Sequence, residues 1–181
     1  MKPAIFIERD AVLNHVSIQG KHQISPLILE DFKVNVAAVG PLKKLKAAGF
    51  VLIATSNQPG LSRGHLSRRE LDRMHALLRL SFPLDDILIC PHDESDHCTC
   101  RKPKPGLFVE AGFKHHLDLE HSYLVSNRWQ DAEAARIVGC ISLLLNSPWI
   151  GPGHHDYVLP DLDAIADKIL EVSRAGHYQP A

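Results

Sequence analysis

The sequence predicts an α/β fold, a doubly wound parallel sheet with helices on both faces. Two observations lead there. Short apolar runs that suit buried strands alternate with segments of helical apolar spacing along the chain. The stretches that follow those runs, at residues 8–10, 56–58, 90–102 and 126–131, turn abruptly polar. In a parallel sheet such stretches meet at one edge, the C-terminal ends of the strands, where ligands bind.

The elements follow in order. Residues 4–7, Ala-Ile-Phe-Ile, make the first strand, which turns polar at Glu8, Arg9 and Asp10. Residues 15–32 have little periodicity and read as a loop, of which residues 19–30 face a substrate. Residues 33–49 carry Val36, Val39, Leu42, Leu45 and Ala48 at near-helical spacing, with Gly49 as the stop. Residues 50–54 are the second strand. Residues 66–82 are a helix whose face is Leu71, Met74, Leu77 and Leu78, capped by Ser67 with Glu70 completing a capping box. The third strand is 87–90, followed by a loop over 91–105. A helix over 106–116 offers Phe108, Ala111 and Phe113 to the core. A fourth strand (123–125), a helix (130–138, with Ala132, Ala134, Ala135 and Ile137), a fifth strand (141–145) and a closing helix (161–173) complete the chain. The closing stripe is Leu162, Ile165, Ile169 and Leu170.

At 181 residues the chain is expected to be one domain, residues 1–181, able to bury a core without disulfides. A net charge of −1 gives no global pull toward nucleic acid or an anionic membrane. No apolar run approaches bilayer length. The opening MKPAIF leads straight into a strand, so the expectation is a cytoplasmic protein. No long apolar surface segment is left once the core is assigned, so the expected state is a monomer. Cys140, in VGCISLLL, reads as a core thiol.

Glu8 and Asp10 are paired carboxylates at a strand end, suited to nucleophilic and acid–base work, or to a strand that simply emerges into solvent. Ser56 and Asn57 offer a hydroxyl and an amide for phosphate oxygens, or an ordinary turn. Cys90, His92, Cys98 and Cys100 form a Cys3His set within one short loop, the ligand complement of a closed structural zinc site. His97 is a competing ligand for the His92 place. The other histidines, from His15 through His75 to His177, show no ligand spacing and are expected mostly in solvent. Arg101 and Lys102 follow the zinc ligands directly and suit a phosphate-stabilising role. Asn127 and Asp131 offer oxygens to Mg2+, or Asn127 caps the next helix.

These motifs together resemble the haloacid dehalogenase-like (HAD) phosphatases, in their zinc-loop branch. The family's opening F-L-D-R-D-G-V-I-N is matched by FIERDAVLN at 6–14. Its T-N-Q-S-G-I-A-R-G is matched by SNQPGLSRG at 56–64. Its C-P-H and C-x-C-R-K-P-x-P-G are matched at 90–92 and 98–106, and its V-G-D-x-x-x-D by VSNRWQD at 125–131. The resemblance implies a Rossmann-like core with a zinc loop over 90–106 and no large cap domain. It implies an acyl-phosphate mechanism on small phosphorylated metabolites of the sugar bisphosphate or histidinol phosphate class. Carried over, Glu8 takes the nucleophile position, Asp10 the acid–base, and Ser56 and Lys102 bind the transferring phosphoryl group. Asn14, Asn57, Gln58, Arg63 and Arg101 fall around substrate. Glu8, Asp10, Asn127 and Asp131 fall at the Mg2+ position.

Two matches fail at the chemistry. Glu8 stands for the family's nucleophilic Asp and is one methylene longer, a displacement of about an ångström that can cost ~100-fold. Asn127 stands for a metal-binding Asp and removes a full charge from a hard-cation site. Ala11 and Ser126 stand where the family has Gly. The expectation is a phosphatase homologue with weakened or lost activity; the alternative is a non-catalytic protein that binds a phosphorylated ligand or a protein partner.

Overall fold

In the computed structural model, which describes residues 1–176, the centre of the molecule is strand β1 (Ala4–Glu8), buried at every position. His177 lies outside the described residues. β4 (Val51–Asn57), β5 (Asp86–Cys90), β6 (Tyr123–Ser126), β7 (Ile141–Leu145) and β8 (Tyr157–Leu159) join β1 in a six-stranded sheet of order β5-β4-β1-β6-β7-β8. Each neighbouring pair is parallel.

Alternation along β1 splits the core in two. Ile5 and Ile7 join the cluster fed by α1 (Val39–Ala47), α2 (Arg68–Ser81) and α5 (Leu162–Ala175). Ala4 and Phe6 face the other way, toward α3 (Gly106–His115) and α4 (Trp129–Ile137), where the Phe6 and Phe108 rings lie 4.5 Å apart. This is the doubly wound, Rossmann-like sheet the sequence predicts. Cys140 is buried, as expected.

Several expectations are corrected. The loop over 15–32 contains an antiparallel hairpin, β2 (Ser17–Gln19) and β3 (His22–Ile24), too short to show a period. β8 is an edge strand of three residues that went unpredicted for the same reason. The helix placed over 33–49 begins at Val39, because Val36–Ala38 forms a 3-10 turn capped by Asn35. Phe113 is 80% exposed: two residues past Ala111 is about 200° around a helix, which turns it away from the sheet. Ile137, the last residue of α4, is also exposed. Ser67 does cap α2 by accepting from the Glu70 N–H, but the Glu70 carboxylate completes no box. It accepts instead from Leu29 N–H at 2.7 Å and from Arg73. His75, expected in solvent, is buried beside Arg9. Among the described residues no helix is long and apolar enough to cross a membrane.

Candidate active site

The strand order sets the site. β5, β4, β1 and β6 are successive neighbours and all parallel, so Cys90, Ser56, Glu8 and Ser126 end on the same edge. Glu8 stands level with Thr55 in the register, one residue before Ser56.

Here the chain buries a polar cluster of Glu8, Arg9, Asp10, Asn14, Ser56, Gln58, Lys102, Asn127 and Asp131. Buried charge must be paired, and it is. Lys102 forms ion pairs with both Glu8 and Asp131, and its ammonium also reaches Thr55 Oγ1 at 3.5 Å. Arg128 comes from the other side, 3.7 Å from Glu8 and 4.0 Å from Asp131. Ser126 donates to Asp131 at 2.9 Å and also accepts from the Arg128 N–H, so the residue standing in place of Gly orients both groups. Glu8 further accepts from the Asp10 N–H at 3.1 Å and from Ser56 at 3.2 Å.

Burial pushes Glu8 up to about 7, against the opposing pull of Lys102 and Arg128. Asp131 goes the other way: burial would raise it, but Lys102 and Arg128 hold it below the usual carboxylate range. Lys102 is raised, because Asp131 and Glu8 outweigh its burial.

Asp10 is enclosed. Its Oδ1 accepts from Arg9 at 2.8 Å and from Asn14 at 3.0 Å, and its Oδ2 from Ser25 at 2.6 Å and Gln58 at 3.0 Å. Burial would raise its carboxyl, but Arg9 and these donors hold it down at about 2. Arg9 is fully buried, with Phe32 against its guanidinium and His75 Nε2 3.5 Å from Nη1. Burial and the adjacent Arg9 push His75 down to about 4, so it faces Arg9 as a neutral ring.

The loop over 90–106 gathers a donor set that fits zinc. The four ligand atoms of Cys90, His92, Cys98 and Cys100 lie within 4.8 Å of one another. Cys98 Sγ is 3.6 Å from both Cys90 and Cys100, and His92 Nδ1 is 3.4 Å from Cys100 and 3.7 Å from Cys90. A tetrahedron with Zn–S near ~2.3 Å has edges of about that length. All four cysteines of the chain are free. His97 is not in the set. Gly106 starts α3 so close to Thr99 that a Cβ there would come 2.4 Å from the Thr99 carbonyl oxygen. The loop is therefore locked to the helix, and Lys102 lies between the two.

Among the described residues the Cys/His set is the only group of acidic, His or Cys ligand atoms gathered closely enough for an ion. Glu8 and Asp131 are paired with Lys102 and Arg128, and the Asp10 carboxylate is enclosed by donors. Among the described residues Asn127 Oδ1 is buried without a partner, and with Glu8 and Asp131 it is an oxygen this edge would offer to Mg2+. Asn127 does not cap α4; Arg128 holds that position, with no side-chain cap.

Of the residues expected around substrate, Asn14 and Gln58 are at Asp10. Asn57 uses both ends of its amide on the Lys102 backbone, each at 3.0 Å. Arg63 pairs with Asp93 at 2.7 Å, and Arg101 points its Nη1 toward the His92 carbonyl at 3.5 Å, so both side chains make their contacts on the Cys/His loop. Arg128, Ser25 and His75 were missed. Arg128 had a signal, a cation inside the polar stretch 126–131. Ser25 lies in the stretch expected to face substrate, while His75 had no signal.

The HAD-hydrolase-like family pattern matches residues 99–171. A D-glycero-beta-D-manno-heptose-1,7-bisphosphate 7-phosphatase of Helicobacter pylori is 31% identical over 134 residues, 71% of this chain and 74% of that protein. The chain belongs to the HAD-like phosphatase family. A second HAD phosphatase of the same name, from Pseudomonas aeruginosa, is 29% identical over 92% of this chain and 97% of its own. Among solved HAD structures, the D,D-heptose 1,7-bisphosphate phosphatase of B. bronchiseptica, complexed with magnesium and phosphate, superposes with a TM-score of 0.79 at 26% identity. That likeness covers 95% of this chain and 99% of the other.

Proposed function

We propose that this HAD protein binds a small phosphorylated metabolite at the Lys102–Arg128 end of the sheet, and that hydrolysis through an acyl phosphate is weakened or lost. One observation carries the reading: Lys102 and Arg128 both close on Glu8 and Asp131, the two carboxylates that face each other across the site. The cations offer a phosphate charge-assisted hydrogen bonds, with Ser56 beside them as a neutral donor.

Three features argue against fast chemistry. Glu8, at the nucleophile position, is longer than Asp and is shared among Lys102, Arg128 and Ser56. Burial raises its carboxyl, against the pull of Lys102 and Arg128, which lowers the share of it ionised and ready to attack. Asp10, at the acid–base position, is held at about 2, far below the value at which an acid carries a proton to give to a leaving group. Phosphoryl transfer depends almost wholly on positioning and charge, so these changes act where the reaction is most sensitive. That the ligand is a small phosphorylated metabolite is supported by the relatives, which are named as heptose bisphosphate phosphatases.

The test is phosphate release from a panel of phosphate esters, with and without Mg2+. Wild type, Glu8→Asp, Asn127→Asp, the double change and Asp10→Asn are run beside a phosphate-binding measurement. The expected result is phosphate binding by wild type, little turnover, and Mg2+-dependent turnover raised about 100-fold or more in the double change. Fast Mg2+-dependent turnover by wild type, abolished by Asp10→Asn, overturns the reading in favour of a working phosphatase.

A further inference from the structure

Beside this site lies a cavity of about 660 Å³. It opens between the β2–β3 hairpin and the segments that follow β6 and β7. Both tryptophans of the chain, Trp129 and Trp149, line it. So do Arg128, Gln23, Gln130 and His22. Three of these carry a buried polar atom with no partner among the described residues: Gln23 Oε1, Gln130 Oε1 and Arg128 Nε. Buried polar groups are ordinarily paired, and the two glutamines keep an amide oxygen that a side-chain rotation would turn toward a ligand.

The walls are held in place. Trp149 Nε1 donates to the Lys21 carbonyl at 2.8 Å, tying the far loop to the hairpin. Trp129 N–H donates to the Trp149 carbonyl at 3.0 Å, and Ser147 donates to the Asn127 carbonyl at 2.6 Å. Gly151, at φ +62°, brings the loop onto Trp129; a Cβ there would lie 3.3 Å from the Trp129 Cβ. Such a pocket is formed before its ligand arrives.

We propose that this cavity binds the heterocyclic base of a nucleoside monophosphate whose phosphate lies at Lys102 and Arg128. The inference rests on the phosphate-binding reading above. Indole faces stack on flat π-rings. A Gln side chain offers an acceptor and donors in one plane, the pattern that pairs with the amino and ring nitrogens of adenine. Arg128 joins the two parts: it lines the cavity and also lies 3.7 Å from Glu8.

Because both tryptophans are in the cavity, their fluorescence reports on it directly. The protein is titrated with adenosine 5′-monophosphate, ribose 5-phosphate and adenosine. The expected result is saturable quenching by adenosine 5′-monophosphate and affinity about tenfold or more above that of ribose 5-phosphate. Trp129→Ala, and separately Gln130→Ala, erase most of that preference, with melting curves confirming that each variant is folded. Equal affinity for ribose 5-phosphate and adenosine 5′-monophosphate overturns the base pocket and leaves the phosphate-binding reading standing. Quenching by adenosine with no gain from its phosphate supports the pocket and overturns the phosphate-binding reading.

Discussion

Asn57 holds the backbone of Lys102 by both ends of its amide: its Nδ2 donates to the Lys102 carbonyl and its Oδ1 accepts from the Lys102 N–H, each at 3.0 Å. The last residue of β4 thereby fixes a lysine delivered by the zinc loop. Asn57→Ala removes two partly buried hydrogen bonds, worth about 1–3 kcal/mol together. Its effect on phosphate affinity, read by calorimetry, should exceed that of Arg63→Ala, because Arg63 pairs with Asp93 at the exposed side of the loop.

Zinc should act through the same lysine. Purified protein is expected to carry one zinc, and metal binding of this kind is folding energy. Removing it with a strong chelator, or with Cys98→Ser, should lower Tm on the order of 10 °C and weaken phosphate binding. Metal analysis beside a melting curve checks both. Unchanged phosphate affinity in the zinc-free protein would separate Lys102 from the loop.

Glu8 sets a pH dependence. With its carboxyl raised to about 7, it gains negative charge as pH rises through that value and lowers the positive charge available to a bound anion. Phosphate affinity should fall between about pH 6 and 8 beyond what phosphate ionisation itself causes. Glu8→Gln, which cannot ionise, should flatten that component. A profile unchanged by Glu8→Gln would place the titration elsewhere.

Between about pH 7 and 4, Glu8 and His75 act on stability in opposite directions. Glu8 is raised in the folded state, so its contribution is fully present below its unfolded value of 4.5 and is lost as pH rises toward about 7. His75 is lowered from 6.5 to about 4, so its contribution is lost as pH falls across that interval. His75→Gln should remove the His75 contribution, and the variant's Tm should then rise as pH is lowered from about 6.5 to 4.5.

Ala11 adopts φ 68°, a left-handed conformation that costs an L-residue about 1–2 kcal/mol. Glycine has no such cost. Ala11→Gly should therefore stabilise the protein by about 1 kcal/mol by urea denaturation, less the extra chain entropy glycine brings to the unfolded state.

The sequence by itself determined the order of the main strands and helices, the doubly wound sheet and the gathering of Cys90, His92, Cys98 and Cys100 in one loop. Those are written in apolar periods and close ligand spacing, which are local signals. It also exposed Glu8 and Asn127 as departures, because each sits inside a recognisable run. Only the tertiary structure decided how the charges pair. Arg128 faces Glu8 across strands that are neighbours only in the folded sheet, Ser25 reaches Asp10 from a hairpin too short to carry a period, and His75 packs on Arg9 from α2. The Trp129–Trp149 cavity has the same origin: its walls come from the β2–β3 hairpin, the start of α4 and the segment after β7, which meet only after β6 and β7 lie side by side. Pairing of this kind depends on distance in space, and a buried charge is stable only where the fold brings it a partner.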